Sequence, residues 1–291
     1  MTTASYTSAQ LRIHHLTTGE DHLVLESSTQ NFEAPNWSPD GETLIVNCDG
    51  RLHTVATSGG VLEPVESGHL ADLNNDHILS PDGSVLYVSS RDGHLYGLPA
   101  TGGEPWRITN DRGRDFQHYL HGISPDGSTL AYVGVEPHQG VQGAYRNIFT
   151  IPAGGGADTQ LTDTPAATDG PEYFPDGRWI YLNREVGGAG EGRAQIFRMR
   201  PDGTELTQLT FDERVNWFPH PSPNGELILF LSFPPGTQGH PADRDIILRT
   251  MTPDGADVTD VVALRGGQGT LNVNSWAPDS ERFAYVAYPK A

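Results

Sequence analysis

One tetrapeptide constrains this chain more than any other feature of its 291 residues. Ser-Pro-Asp-Gly stands at Ser38–Gly41, Ser80–Gly83 and Ser124–Gly127, and degenerate copies follow at Phe174–Gly177, Ser222–Gly225 and Ala277–Ser280. Their prolines, at 39, 81, 125, 175, 223 and 278, are separated by 42, 44, 50, 48 and 55 residues. Repeats of this length are the signature of small sheets arrayed around an axis. Proline presets φ for the first turn position, and Asp or Asn and Gly accept the remaining turn angles. A short apolar strand follows each copy (TLIVN, VLYVSS, LAYVG, WIYLN, LILFLS, FAYVAY), rich in the β-branched and aromatic residues that strands favour.

A second type of hairpin alternates with the first, as in LHTVATSGGVLEPVE and IFTIPAGGGADTQLT. Six units of the first type enclose only five of the second, and the missing one is LRIHHLTTGEDHLVLES at the N-terminus. The N-terminal hairpin is therefore expected to complete the last blade, because an open radial array leaves unpaired strand edges. The predicted fold is all-β: a six-bladed β-propeller of four-stranded blades, with residues 1–291 in a single domain.

Other classes lack their parts. No G-x-S-x-G elbow, P-loop or G-x-G-x-x-G before a helix is present, so a serine-hydrolase site and a nucleotide cofactor are not expected. The 18 Lys+Arg against 37 Asp+Glu give a formal charge of −19, which repels phosphate backbones and anionic membranes. No run approaches the ~20 apolar residues of a membrane span. The single cysteine, Cys48, excludes an internal disulfide framework and reads as an inert buried thiol. With no secretion signal visible at the start, the expectation is a cytoplasmic monomer with no nucleic-acid or membrane partner.

The repeats resemble the Pro-Asp-Gly blades of TolB-like propellers. Asn74–His77 (NNDH), His121–Gly127 (HGISPDG), Asp169–Tyr173 (DGPEY), Asn216–Gly225, Gly239–Asp245 and Gly266–Trp276 are similar to stand-alone bacterial members of that group. The resemblance implies a propeller that binds a ligand or a protein partner at its axis. Oligogalacturonate lyase, a more distant propeller of this kind, implies a funnel holding a divalent metal.

In a propeller the innermost strands ring a channel, so the residues just before each turn are expected at one mouth. Blade by blade these are Glu33 and Asn36; Asn75, Asp76 and His77; His118, Tyr119 and His121; Asp169 and Glu172; Trp217 and His220; Asn272 and Asn274, preceded by Gln268. Imidazole with carboxylate suits a divalent cation, so His77, His121, Glu172 and His220 are the candidate ligands for one Mn, Zn or Ca ion. Long loops in blades three to five add His138, Arg146, Arg184, Arg193, His240 and Arg244, where binding residues concentrate. From these sets, His118, Asp169, Arg184 and His240 are the candidate acid–base groups. Glu33, Asn36, Asn75, Asp76, Tyr119, Trp217, Arg244, Gln268, Asn272 and Asn274 are the candidate substrate contacts. Tyr119, Trp217 and Phe218 are candidates for stacking on a sugar face. The expected function is a metal-assisted carbohydrate lyase or hydrolase working in the funnel. The alternative is a platform for a protein or peptide.

Overall fold

Each blade begins at the axis and is built outward, strand by strand, by the hairpins read from the sequence. The computed structural model describes residues 7–113, 115–137, 144–187 and 192–290. Blade one comprises Phe32–Trp37, Thr43–Cys48, Arg51–Ala56 and Glu63–Pro64, paired in that order. Blades two to five repeat the plan from innermost strands Leu73–Leu79, Gln117–Ile123, Thr168–Tyr173 and Val215–Pro221. In blades one to four the outermost strand is a two-residue pair, which leaves little free edge for another chain to join. Among the described residues there is no helix.

The ring closes as expected. Ala9–His15 lies antiparallel to Arg282–Ala287, and Asp21–Ser27 adds outside it. The inner segment of this sixth blade departs from a regular strand: it has one isolated bridge, Trp276 to Phe283, and irregular backbone hydrogen bonds such as Ala284 N–H to the Ser275 carbonyl at 2.8 Å.

Among the described residues six buried apolar clusters hold the ring, one between each pair of neighbouring blades. Leu52 and Leu98 meet between blades one and two, Tyr132 and Leu95 between two and three, and Val133 and Leu182 between three and four. Ile196 and Phe230 join blades four and five, Trp217 and Phe283 join five and six, and Leu11 and Phe32 join six and one. Burying a side chain of this size contributes about 1.5–3 kcal/mol. Most of that apolar surface lies between sheets, which leaves room for polar side chains at the axis.

The tetrapeptide has a dual role. Ser124 Oγ donates to Asp126 Oδ1 at 2.5 Å and accepts from the Thr129 N–H at 3.0 Å, and Ser38 and Ser80 do the same in their turns. In blades one to four the glycine then packs on the preceding blade's proline, and in blade five Gly225 packs on Phe174. A Cβ on Gly83, at φ 71°, would lie 2.9 Å from Pro39, and one on Gly41 would lie 3.7 Å from Pro278. The turns thus form their own closed circle on one face of the ring.

A local irregularity decides where the polar groups go. In blades one to five the innermost strand slips register against the second, between Glu33 and Asn36, Leu73 and His77, Leu120 and Gly122, Asp169 and Glu172, and Trp217 and His220. A bulge of this kind bends the strand and re-aims side chains. In blades one, four and five the bulge contains a left-handed residue just before a proline: Ala34, Gly170 and Phe218, at φ 54°, 59° and 53°.

Candidate functional site

The bulges divide the axis into two cavities. On the face carrying the loops between second and third strands lies a polar funnel of about 210 Å³. Asn74 and Asp76 enter it from blade two, Tyr119, His121 and Arg146 from blade three, and Asp169 from blade four. Phe218 and His240 come from blade five, and Gln268 and Asn272 from the approach to blade six. On the turn face lies a wider cavity of about 450 Å³, ringed by all six turn prolines with Trp37, Tyr173 and Trp276. His121 is the bulged residue of blade three, and it alone of the funnel residues also lines this second cavity.

Charge in the funnel centres on His121. Its Nε2 lies 3.3 Å from Asp169 Oδ1, and both residues are more than nine-tenths buried. Burial works against the imidazolium, but the charges of Asp76 and Asp169 outweigh it and raise the His121 pKa to about 9. Asp169 is affected in the complementary sense: burial opposes its charge, yet the hydrogen bond and charge of His121 hold it at about 2. Asp76 goes the other way. Burial dominates and, with Asp169 and Glu33 repelling, pushes it to about 7 despite the His121 charge. Its Oδ2 accepts from Asn74 Nδ2 at 2.6 Å. Opposite, His240 is hydrogen-bonded through Nδ1 to Gln268 Oε1, and burial lowers its pKa. The site therefore holds a fixed ion pair beside a carboxyl that titrates near neutrality.

A second polar layer closes the turn-side cavity. Glu172 Oε2 lies 2.5 Å from His220 Nδ1, and Asn274 Nδ2 donates to Glu172 Oε1. His220 Nε2 faces the Leu271 carbonyl at 3.2 Å, and Asn36 Nδ2 donates to the Asn274 carbonyl at 2.8 Å. Apart from the buried Asn36 Oδ1, which has no hydrogen-bond partner, these groups engage one another, so the layer reads as a plug tying blades one, four, five and six together.

An uncharacterized protein of Agrobacterium fabrum, Atu1656, is 38% identical over 270 residues, spanning 91% of this chain and 87% of its own length. A solved structure from Agrobacterium tumefaciens, provisionally called TolB, superimposes with a TM-score of 0.88 at 37% identity, covering 98% of this chain and 99% of that one. The chain belongs to this TolB-like propeller family. No family model matches it. Oligogalacturonate lyase in complex with manganese shares the fold at a TM-score of 0.61 and 13% identity, over 90% of this chain and 75% of that one.

In this TolB-like chain the expected metal set does not assemble. His77 is fully buried, with Nδ1 on the Asn75 carbonyl at 3.0 Å and Nε2 on the Ile45 carbonyl at 3.3 Å, and burial pushes its pKa down to about 4. His121 lines both cavities but pairs with Asp169, whereas Glu172 and His220 pair with each other in the turn-side plug. Among the described residues no three His, Cys, Asp or Glu form a metal-binding group. The four residues do not fit a shared ion, so no chemical step is routed through one.

The acid–base candidates divide. Asp169 and His240 line the funnel. His118 does not: it is 1% exposed between blades two and three, packed on Phe116 at 4.6 Å and Tyr132 at 5.1 Å, with Nδ1 on the Gly93 carbonyl at 2.6 Å. Burial lowers its pKa to about 4. Arg184 is also outside the lining, its Nη2 donating to Thr164 Oγ1 at 3.2 Å and its guanidinium 6.0 Å from the Phe197 ring centre.

Of the substrate contacts, Asp76, Tyr119, Gln268 and Asn272 share the funnel. Glu33 and Asn75 line a separate polar pocket with Asp49, Asp72 and Arg91, although Gln268 Nε2 lies 3.4 Å from Asn75 Oδ1. Asn36 and Asn274 lie at the opposite mouth. Trp217 is core, its ring 4.6 Å from His240, which it holds edge-on. Arg244 is exposed and donates to the Asp243 carbonyl. His138 lies outside the described residues. Cys48 is buried, and its thiol is raised to about 11, as an inert thiol should be.

Residues a fixed distance before the turn were expected at a single mouth, but side chains alternate along a strand and the bulges break that alternation. Arg146, expected only as a loop cation, supplies the funnel's arginine in place of Arg184 and Arg244. Nothing in the sequence pattern pointed to Asn74 or Val135 as lining residues.

Proposed function

We propose that this protein is an acid–base enzyme acting on a small, hydroxyl-rich, sugar-like molecule held in the loop-side funnel. The observation that carries the reading is the buried Asp76–His121–Asp169 group in the cavity wall. Paired groups whose environments push their pKa values apart are how one site supplies both a proton acceptor and a fixed charge. Asp76, at about 7, is poised to exchange a proton at neutral pH. Asp169 keeps His121 protonated, and that imidazolium faces negative charge developing on the ligand. Arg146 adds a second cation, which suits a carboxylate-bearing sugar. Tyr119, Gln268 and Asn272 offer hydrogen bonds.

For a uronate-like ligand, Asp76 takes the proton from the carbon next to the carboxylate. The electron pair moves into that carboxylate, opposite Arg146 and His121, and returns to form a carbon–carbon double bond as the oxygen substituent on the next ring carbon leaves, taking a proton from water. The funnel, at about 210 Å³, is the place proposed for one sugar ring. A second reading, a platform for a peptide, is favoured by the proline-ringed cavity at the other mouth.

Calorimetric titration with glucuronate, galacturonate, their neutral parent sugars and a proline-rich peptide separates the readings. The enzyme reading expects binding of a single-ring sugar acid, weakened at least tenfold by Arg146→Ala. Binding of the peptide alone, insensitive to Arg146→Ala, would replace it with the platform.

A further inference from the structure

We infer that Phe218 is a positioning residue that holds the His121 ring in its place against Asp169. This deepens the acid–base reading of the funnel and rests on it. Three bulges share a left-handed residue before proline, and blade four fills that place with glycine, which adopts it freely. Blade five uses phenylalanine, for which φ 53° is an outlier that stores about 1–2 kcal/mol of strain. Strain of this sort persists where the surroundings over-determine it, and it gathers at functional sites.

The surroundings here are specific. The Phe218 N–H donates to Asn183 Oδ1 at 3.1 Å, which fixes the bulge to blade four. The ring is 2% exposed and stacks on His121, with centroids 5.5 Å apart and planes 19° from parallel. Its edge meets His240 at 5.2 Å, and Trp217 backs it at 5.6 Å. The conformation that strains the backbone is thus the one that lays an aromatic face against the imidazole. A ring in that position blocks tilting of His121 away from Asp169, and its negative face favours the protonated imidazole. Glycine would relieve the strain but would provide neither contact.

The test reads the imidazole rather than turnover, so it does not depend on knowing the substrate. His121 is titrated by nuclear magnetic resonance of its ring carbons and nitrogens in the full chain. The groups facing it are Asp76 from blade two, Asp169 from blade four and His240 from blade five, with Arg146 nearby on blade three, and none is altered. Phe218→Leu and Phe218→Met keep an apolar side chain and remove the flat face. Both are expected to lower the His121 pKa by about one unit, the effect of a buried cation–π contact. Phe218→Tyr is expected to restore it.

Phe230→Leu, in the neighbouring blade interface, is the control that destabilises without touching His121. A His121 titration that is the same in wild type, Phe218→Leu and Phe218→Met, alongside a lower melting temperature, would show Phe218 to be packing only. That result would leave the funnel's acid–base reading intact. Conversely, shifted titrations in a protein that binds no sugar acid would support the positioning role and overturn the enzyme reading.

Discussion

Replacing Asp76 with asparagine is expected to make the protein more stable at alkaline pH, and the size of the effect follows from its burial. The carboxyl rises from 3.8 to about 7, roughly 3 units, and each unit corresponds to about 1.4 kcal/mol. A carboxyl with a raised folded-state pKa gives up its proton more readily in the unfolded chain. Stability is therefore lost as pH rises from the unfolded value through the folded one. At pH 4 Asp76 is protonated and Asn is a close replacement. At pH 8 the wild type holds a buried carboxylate that the variant lacks. The stability of Asp76→Asn relative to wild type should therefore climb by roughly 4 kcal/mol between pH 4 and pH 8.

The assay is urea unfolding of both proteins at pH 4, 6 and 8, read as a difference. The difference matters because His77 and His118, both lowered to about 4, add an opposite slope common to the two chains. A relative stability that stays level with pH, or falls, would refute the claim that burial dominates at Asp76. The direction is diagnostic, since removing a surface carboxylate changes stability by a few tenths of a kcal/mol.

Gly83→Ala should destabilise the ring by about 1–2 kcal/mol, because φ 71° is strained for alanine and its Cβ would meet Pro39 at 2.9 Å. Gly41→Ala, with 3.7 Å to Pro278, should have the smaller effect, and thermal melts that reverse the order would count against the turn circle. Elemental analysis of chelator-free protein should give the same metal content in wild type, His77→Ala and His220→Ala. Stoichiometric metal lost in both variants would restore the four-residue site.

The architecture was legible because its determinants are local. The turn serine, aspartate and glycine satisfy each other within five residues, and the strand that follows is apolar for reasons internal to its own blade. Ring closure was legible from counting hairpins, and Ala9–His15 pairs with Arg282–Ala287 as that count requires. The site was legible in composition but not in placement. Asp76, His121 and Asp169 stand at different distances before their turns, and each faces the funnel because its strand bulges there. His118 and His77 stand beside them in sequence and point between blades. Bulge position depends on pairing with the second strand, a contact that a linear pattern does not encode. Arg146 escaped for a related reason: it returns to the axis on the third strand of blade three, beyond a long loop.

A crystal structure of the protein soaked with the tightest-binding sugar acid tests the central claim most directly. The account predicts one ligand ring in the loop-side funnel, its carboxylate toward Arg146, with Asp76 and His121 within hydrogen-bond reach. Density for the ligand among the turn prolines instead, against Glu172 and Asn274, would contradict it.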